Sequence, residues 1–555
     1  MRKKIPSGVD DFGPIAKEGY YVDKTFIIPR ILGYLEGTTI LITRPRRFGK
    51  SLMVSMLDYF FSNSRGGKEL FSSLSIKSDS VSMEEQGKYP VIRLTLKDAK
   101  QDSWDGMFAL VRRDLCDLAR RFPELLDSSS LSAYQKEEFR QLCEEGSPNV
   151  VFDKSLLKLC ELLHLHYGTK PILLVDEYDA PISKAYECGF YDKAIGFFRS
   201  LYGSALKGNE HLRFALVTGV MQIAKESLFS DLNNLCVDNV MEGPFSDCFG
   251  FDEKEAQDLL GYYGLSERKD EVMGWYGGFN VGGKRLCNPW SLLKFVERDG
   301  KLGSYWADTG ENSILADIIL AMDYDSVEGF SGLLGGEAIE CQVSSSFSFK
   351  DISNNGNIAF SYLLFAGYLS FEALPDRLGR ALLKIPNMEV KTAFEVKVIE
   401  RFGPKGNLLA WPRKLKAAMK GCDSTAIGEL LSEYLLKTLS YYAYSDWRSY
   451  QYLILGMTAA LFSGSLVKSE VNAKKGRLDI LVFSAQERFG LVIEVKMVGS
   501  KQSAYNLRRS AQAALSQIKN NRYQEDLKER GAGNVIGVGI AAFQDSAIAV
   551  SEKLL

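Results

Sequence analysis

The sequence predicts an α/β protein of several units: a parallel, helix-covered sheet, then a small helical or winged-helix lid, then a second α/β domain. Three observations carry this. Apolar β-branched runs alternate with helical spacing from residue 38 to 220, the pattern of right-handed crossover units. From about 245 the texture turns rich in glycine and aromatics. After 430 a new order begins, α-β-β-β-α-β. With 555 residues, one core does not suffice, and roughly 150 residues per domain gives about three or four units. The expected boundaries are 1–240, 241–310, 311–430 and 431–555.

The elements follow in order. TTILIT (38–43) is a strand, and KSLMVSMLDYFFS (50–62) has helical spacing. YPVIRLTL (89–96) is the next strand, followed by helices around 104–121, 131–144 and 152–166. KPILLVDEYDAP (170–181) is a continuous apolar run ending in acids, as suits a strand buried on both faces. A helix near 190–207 precedes the strand LRFALVTGV (212–220). FGFDEKEAQDLLGYYG and WYGGFNVGGKRLCNPWSLLKFV make the lid. Within 311–430, read as a helical connector, YLLFAGYLSFEAL (362–374) and LLKIPN (382–387) suggest helix and strand pieces. The final unit has a helix near 447–463, strands at 466–473, 477–483 and 489–497, a helix around 502–527, and a strand at 535–543.

Composition excludes some classes. Net charge is −2, so any nucleic-acid binding must use a local patch rather than a global basic field. Nine scattered cysteines without a C-x-x-C, and only three histidines (His164, His166, His211), argue against a zinc site. Such cysteines suit free thiols in a reducing cytoplasm. Met-Arg-Lys-Lys opens the chain and no apolar run follows, so no signal peptide is expected. Ser449 to Val467 carries no charge over 19 residues. Its interruptions by Gln451, Ser463, Gly464 and Ser465 favour a buried core helix over a membrane span.

Residues 41–52, LITRPRRFGKSL, hold the first candidate site. Gly49, Lys50 and Ser51 fit the second half of G-x-x-x-x-G-K-[ST], while Arg44 stands where the first glycine belongs. The loop falls between a strand and a helix, where backbone amides and the helix N-terminus favour phosphate. Lys50 can reach the β and γ phosphates of ATP, and Ser51 can offer its hydroxyl to Mg²⁺. LLVDE places Asp176 and Glu177 at a strand's C-terminal end, where α/β ligands bind. Asp176 would hold Mg²⁺ through water, and Glu177 would polarise the attacking water.

RPRRFGKSL, preceded by YYVDKT (20–25), resembles the AAA-ATPase-like domain found in many bacterial proteins of unassigned role. LLVDEYDAP, LVTGVMQIAKESLFSDLNNL (216–235), YGGFN with CNPWSLL, and YWADTG (305–310) resemble its further blocks, over roughly residues 3–310. The resemblance implies a P-loop NTPase fold. It also implies that Arg46 and Arg47 belong to the family's form of the loop and add charge against the triphosphate. Thr218 resembles, by position, a polar residue aimed at the γ-phosphate or its water. A strand-end threonine capping a turn is the bland reading. Arg199 and Arg213 are positional candidates for an arginine finger.

GRLDILVF (476–483) and GLVIEVKM (490–497) hold the second candidate site. Residues two apart on a strand share a face, so Glu494 and Lys496 point together, and Asp479 can face Glu494 from the neighbouring strand. Two carboxylates that close call for a cation, and oxygen ligands suit Mg²⁺ or Mn²⁺. A lysine beside them can orient a metal-bound water for phosphodiester hydrolysis. A surface charge cluster is the alternative.

SEVNAKKGRLDILVF with GLVIEVK resembles the PD-(D/E)XK nuclease superfamily, hence a restriction-endonuclease-like fold over about 430–545. The resemblance implies Glu470 as an additional metal-binding acid, and it matches Gln517 and Tyr523. The sequence departs from it at Trp447 and at Tyr450–Gln451, where members carry Glu and Tyr-His. Lys468, Lys474, Lys475, Arg477, Lys501, Arg508 and Arg509 could neutralise phosphates. The expectation is an ATP-binding, metal-dependent nuclease acting on DNA or RNA, with a homo-oligomer possible and no membrane partner. The alternative is a nucleotide-dependent switch that binds nucleic acid or a protein without cutting.

Overall fold

The structure is a computed structural model. It describes residues 2–223, 228, 232–306, 329, 332–334, 336–349, 351, 356–373, 375–402, 410–438, 454–455, 457–458, 461–462, 465–473, 476–498, 504–543 and 546–555.

The first sheet is parallel throughout. Its strands are β1 (Thr38–Thr43), β2 (Val91–Thr95), β3 (Ile172–Asp176), β4 (Phe214–Gly219) and β5 (Leu235–Asp238), in the order β2-β3-β4-β1-β5. Every residue of β3 and β4 is buried, as their unbroken apolar runs require of strands covered on both faces. Helix Lys50–Phe61 follows β1 directly. Asp176 closes β3 and Glu177 follows it, and β4 lies between β1 and β3. The sequence reading anticipated β1 to β4 but not β5, whose four residues LCVD are too short and mixed for a clear pattern.

The segment expected as a lid holds the helices Glu253–Tyr263, Lys269–Tyr276 and Pro289–Glu297, with the hairpin β6 (Phe279–Val281) and β7 (Lys284–Leu286) between the last two. Asp252 caps the first helix in a capping box with Glu255. Glu255 also takes an ion pair from Lys24, 2.6 Å away, which ties the YYVDKT segment to the lid.

The connector is not purely helical. It contains an antiparallel sheet of β8 (Ile339–Gln342), β9 (Ser370–Phe371) and β10 (Arg380–Lys384) in the order β8-β10-β9. Helices Gly356–Ala366, Met388–Phe402, Ala410–Lys420 and Ser424–Thr438 accompany it. Such short strands leave little periodicity to read.

The last sheet is mixed: β11 (Leu466–Ala473), β12 (Gly476–Ser484), β13 (Phe489–Met497), β14 (Asn534–Phe543) and β15 (Ser546–Lys553), in that order. Only β13 and β14 are parallel, and helix Ala504–Asn520 makes the crossover between them. The helix expected at 502–527 is two helices, since Arg522 turns left-handed at φ +56° before Tyr523–Glu529. β15 was not anticipated, because SAIAVSEK is half polar on an edge. The helix expected at 447–463 falls largely outside the described residues; Ile454, Leu455, Met457 and Leu461 there are helical and buried. Among the described residues no helix is long and apolar enough to cross a membrane.

Candidate nucleotide and carboxylate sites

The phosphate loop leaves β1 at Thr43 and enters its helix at Lys50. Gly49 sits at φ +88°, a left-handed conformation that favours glycine. Lys50 is buried, and its Nζ donates to the carbonyls of Arg44 and Pro45, 2.9 Å from each. Phosphate oxygens can compete for that ammonium. Burial lowers the Lys50 pKa, and Glu177, Asp179 and Asp176 work against that shift.

The three loop arginines part company. Arg44 is fully buried and pairs with Asp238 at the end of β5. Its Nη1 also donates to the Thr43 carbonyl at 2.8 Å. The residue in the first glycine's place is therefore a buried strut and does not face the phosphates. The guanidinium of Arg47 lies 4.3 Å from the Trp290 ring centroid in the lid. The Arg46 carbonyl accepts from Asn288 Nδ2 at 3.4 Å and from Trp306 Nε1 at 3.3 Å.

Asp176 closes β3, almost fully buried, and accepts a 2.6 Å hydrogen bond from Thr218 Oγ1. Thr218 pairs with Ile42 on β1, so β4 sets it between the lysine loop and the aspartate. It is wholly buried and acts on Asp176. Glu177 adopts φ +55°, and its pKa is raised by burial first and by Asp176 second. Asp179, which the sequence reading passed over, is buried and accepts from the amides of Val220 and Met221 at 2.8 and 3.1 Å. The third acid of DEYDAP was its only signal.

Lys50, Ser51, Glu177, Asp179 and the loop arginines 46 and 47 line one cavity of about 320 Å³, within the roughly 300–1,000 Å³ of small-molecule sites. Neither Arg199 nor Arg213 lines it. Arg213 stands before β4, at the sheet's other end, near Glu36 at 3.7 Å.

In the last sheet, the register Ile480↔Ile493 sets Asp479 opposite Glu494. Asp479 accepts from the Val495 amide at 2.7 Å. Glu494 is 5% exposed. Its Oε1 accepts from Gln517 Nε2 on the crossover helix. Among the described residues its buried Oε2 has no hydrogen-bond partner. Burial, then the neighbouring Asp479, pushes its pKa up to about 8. A buried carboxylate oxygen with an unmet demand, beside a second acid, is what a hard cation would satisfy. Tyr523 is also buried, its pKa raised by burial, with Glu494 and Asp479 adding to the shift.

Lys496 lies half-buried on the same face as Glu494. Lys468 is half-buried, while Arg508 and Arg509 are exposed on the crossover helix. The side chains of Glu470 and Arg477, and residues Lys474, Lys475, Lys501, Trp447, Tyr450 and Gln451, lie outside the described residues. Among those described, no group of three His, Cys, Asp or Glu could hold a metal.

A lysine loop, a helix and a paired acid strand on a parallel sheet define a P-loop nucleotide-binding fold, and a carboxylate pair on a mixed sheet defines the second unit. Residues 6–229 match the family model described as "Predicted AAA-ATPase". Residues 448–552 match that of the "PD-(D/E)XK nuclease superfamily". The two matches fall in that order along the chain. It is also 29% identical over 412 residues to an "Uncharacterized protein in vnfD 5'region" from Azotobacter chroococcum mcd 1, covering 73% of this chain and 71% of that one.

Proposed function

We propose that this protein binds and hydrolyses ATP with Mg²⁺ and couples that cycle to a metal-dependent nuclease site acting on nucleic acid. Residues 1–240 would bind the nucleotide, 241–310 form its lid, 311–430 connect, and 431–555 act on the phosphodiester. Supporting the first half, Lys50, Ser51 and Glu177 share one cavity, with Asp176 set behind them by Thr218. The observation that carries the second half is the orphaned Oε2 of Glu494 beside Asp479.

In this reading Lys50 and the loop amides hold the phosphates, and Ser51 and Asp176 orient the metal. Glu177 accepts the proton of the attacking water. In the second site Asp479 and Glu494, with Glu470, would hold Mg²⁺ or Mn²⁺, which activates water. Lys496 would orient that water for attack on the phosphodiester.

The test is cleavage of linear and circular DNA, single-stranded DNA and RNA with Mg²⁺ or Mn²⁺, with and without ATP. Glu494→Ala is expected to abolish cleavage, and Lys50→Ala to abolish its dependence on ATP. A parent that binds nucleic acid yet cuts none of these substrates would make the protein a nucleotide-dependent binder.

A further inference from the structure

The three arginines of the loop are chemically alike, and the fold gives each a different task. Arg44 is consumed by its pair with Asp238, inside the protein. Arg47 lies against Trp290 on the lid. Arg46 remains in the cavity wall beside Lys50, and among the described residues no ion pair engages its guanidinium.

Two outside elements fix Arg46. Asn288 of the lid and Trp306 beyond it both donate to its carbonyl. The connector closes the same part of the cavity, where Tyr362, Ala366 and Tyr368 line the wall. The turn after helix Gly356–Ala366 presses on the loop. A Cβ on Gly367, which sits at φ +89°, would lie 2.7 Å from Pro45 Cβ. Tyr368 packs edge-on to Trp306 with centroids 4.9 Å apart. Both tyrosines face the cavity that Arg46 lines. Arg46 shares that cavity with Lys50, Glu177 and Asp179, and Asp179 is anchored to the amides that follow β4.

We propose that Arg46 is an arginine finger supplied by the phosphate loop itself and seated by Tyr362 and Tyr368 of the connector. This rests on the ATPase reading above. A water oxygen bonds to the γ-phosphorus and gives its proton to Glu177. The bond from that phosphorus to the β–γ bridging oxygen breaks, and the electron pair stays on ADP. The guanidinium neutralises charge building on the bridging and γ oxygens. A fork of fixed N–H donors suits this better than an ammonium. With the finger inside the chain, hydrolysis needs no neighbouring subunit.

The experiment measures phosphate release and binding of a fluorescent ATP analogue for the full-length parent, Arg46→Ala, Arg46→Lys and Arg47→Ala. Arg46→Ala is expected to lose about 10³-fold in kcat while analogue affinity changes little. Free guanidinium is expected to restore part of its turnover, which a merely structural role would not allow. Arg46→Lys should fall between, and Arg47→Ala should weaken nucleotide affinity more than turnover. Parent turnover per molecule should not change with protein concentration. The assignment is overturned if Arg46→Ala keeps parental turnover, if Arg47→Ala takes the loss instead, or if turnover per molecule climbs with concentration. A parent that hydrolyses no ATP would overturn the ATPase reading as well, which separates the two failures.

Discussion

Glu494 holds a proton in the folded chain that an unfolded chain releases, because burial and Asp479 lift its pKa from 4.5 to about 8. Between those values the folded state binds more protons, so metal-free stability falls as pH rises. Glu494→Gln removes that dependence. In EDTA the variant is expected to melt above the parent near about pH 9 and level with it near about pH 5. Added Mn²⁺ should raise the parent's melting temperature, more so at high pH, and leave the variant unmoved. Equal pH profiles for the two proteins would refute this. Thr218→Val keeps the shape of a buried side chain but drops the bond to Asp176. Losing such an outer partner typically costs about 10–100-fold in metal affinity or activity. The expected result is weaker Mg²⁺ activation of ATP hydrolysis, with metal-free nucleotide binding unchanged. At this scale the motifs named residues that the fold brings together, Lys50 with Glu177 in one cavity and Asp479 opposite Glu494. The sequence was silent on Arg44, since nothing local announces a partner 194 residues away at Asp238.

Among the elements, the crossover of the last sheet depends on one absent side chain. A Cβ on Gly539 in β14 would lie 2.2 Å from the Ala511 carbonyl of helix Ala504–Asn520. Gly539→Ala must push that helix outward, and overpacking of this kind costs about 1–3 kcal/mol. Urea unfolding should show the loss. The same helix carries Gln517, so the variant should also weaken Mn²⁺ binding at Glu494. Strands buried on both faces were readable because their apolar runs admit no other place, as with ILLVD and FALVTG. β5 and β15 were not, one being four residues long and the other an edge strand with polar alternation. The connector's strands hid for a similar reason: β9 is two residues, below any period.

At the scale of the molecule, one hydrophobic core runs unbroken from Val175 and Val217 in the first sheet, through Phe365 and Leu383 of the connector, to Val482, Ile493 and Val538 in the last. Packing this dense transmits displacement. ATP with Mg²⁺ is therefore expected to slow amide exchange at residues 356–371 and along β13, not only around Lys50. Lys50→Ala should abolish both effects. Protection confined to the loop would show that the two sites do not communicate through this core. The sequence divided the chain where its texture changed, and texture reports local composition, not which side chains meet across a fold. The unbroken core also bears on how such chains can be rebuilt. The terminal domain is not a bead on a thread, and an exchange cut at residue 430 would tear apolar faces open on both sides. A chimaera that keeps the terminal domain soluble would have to inherit the connector with it.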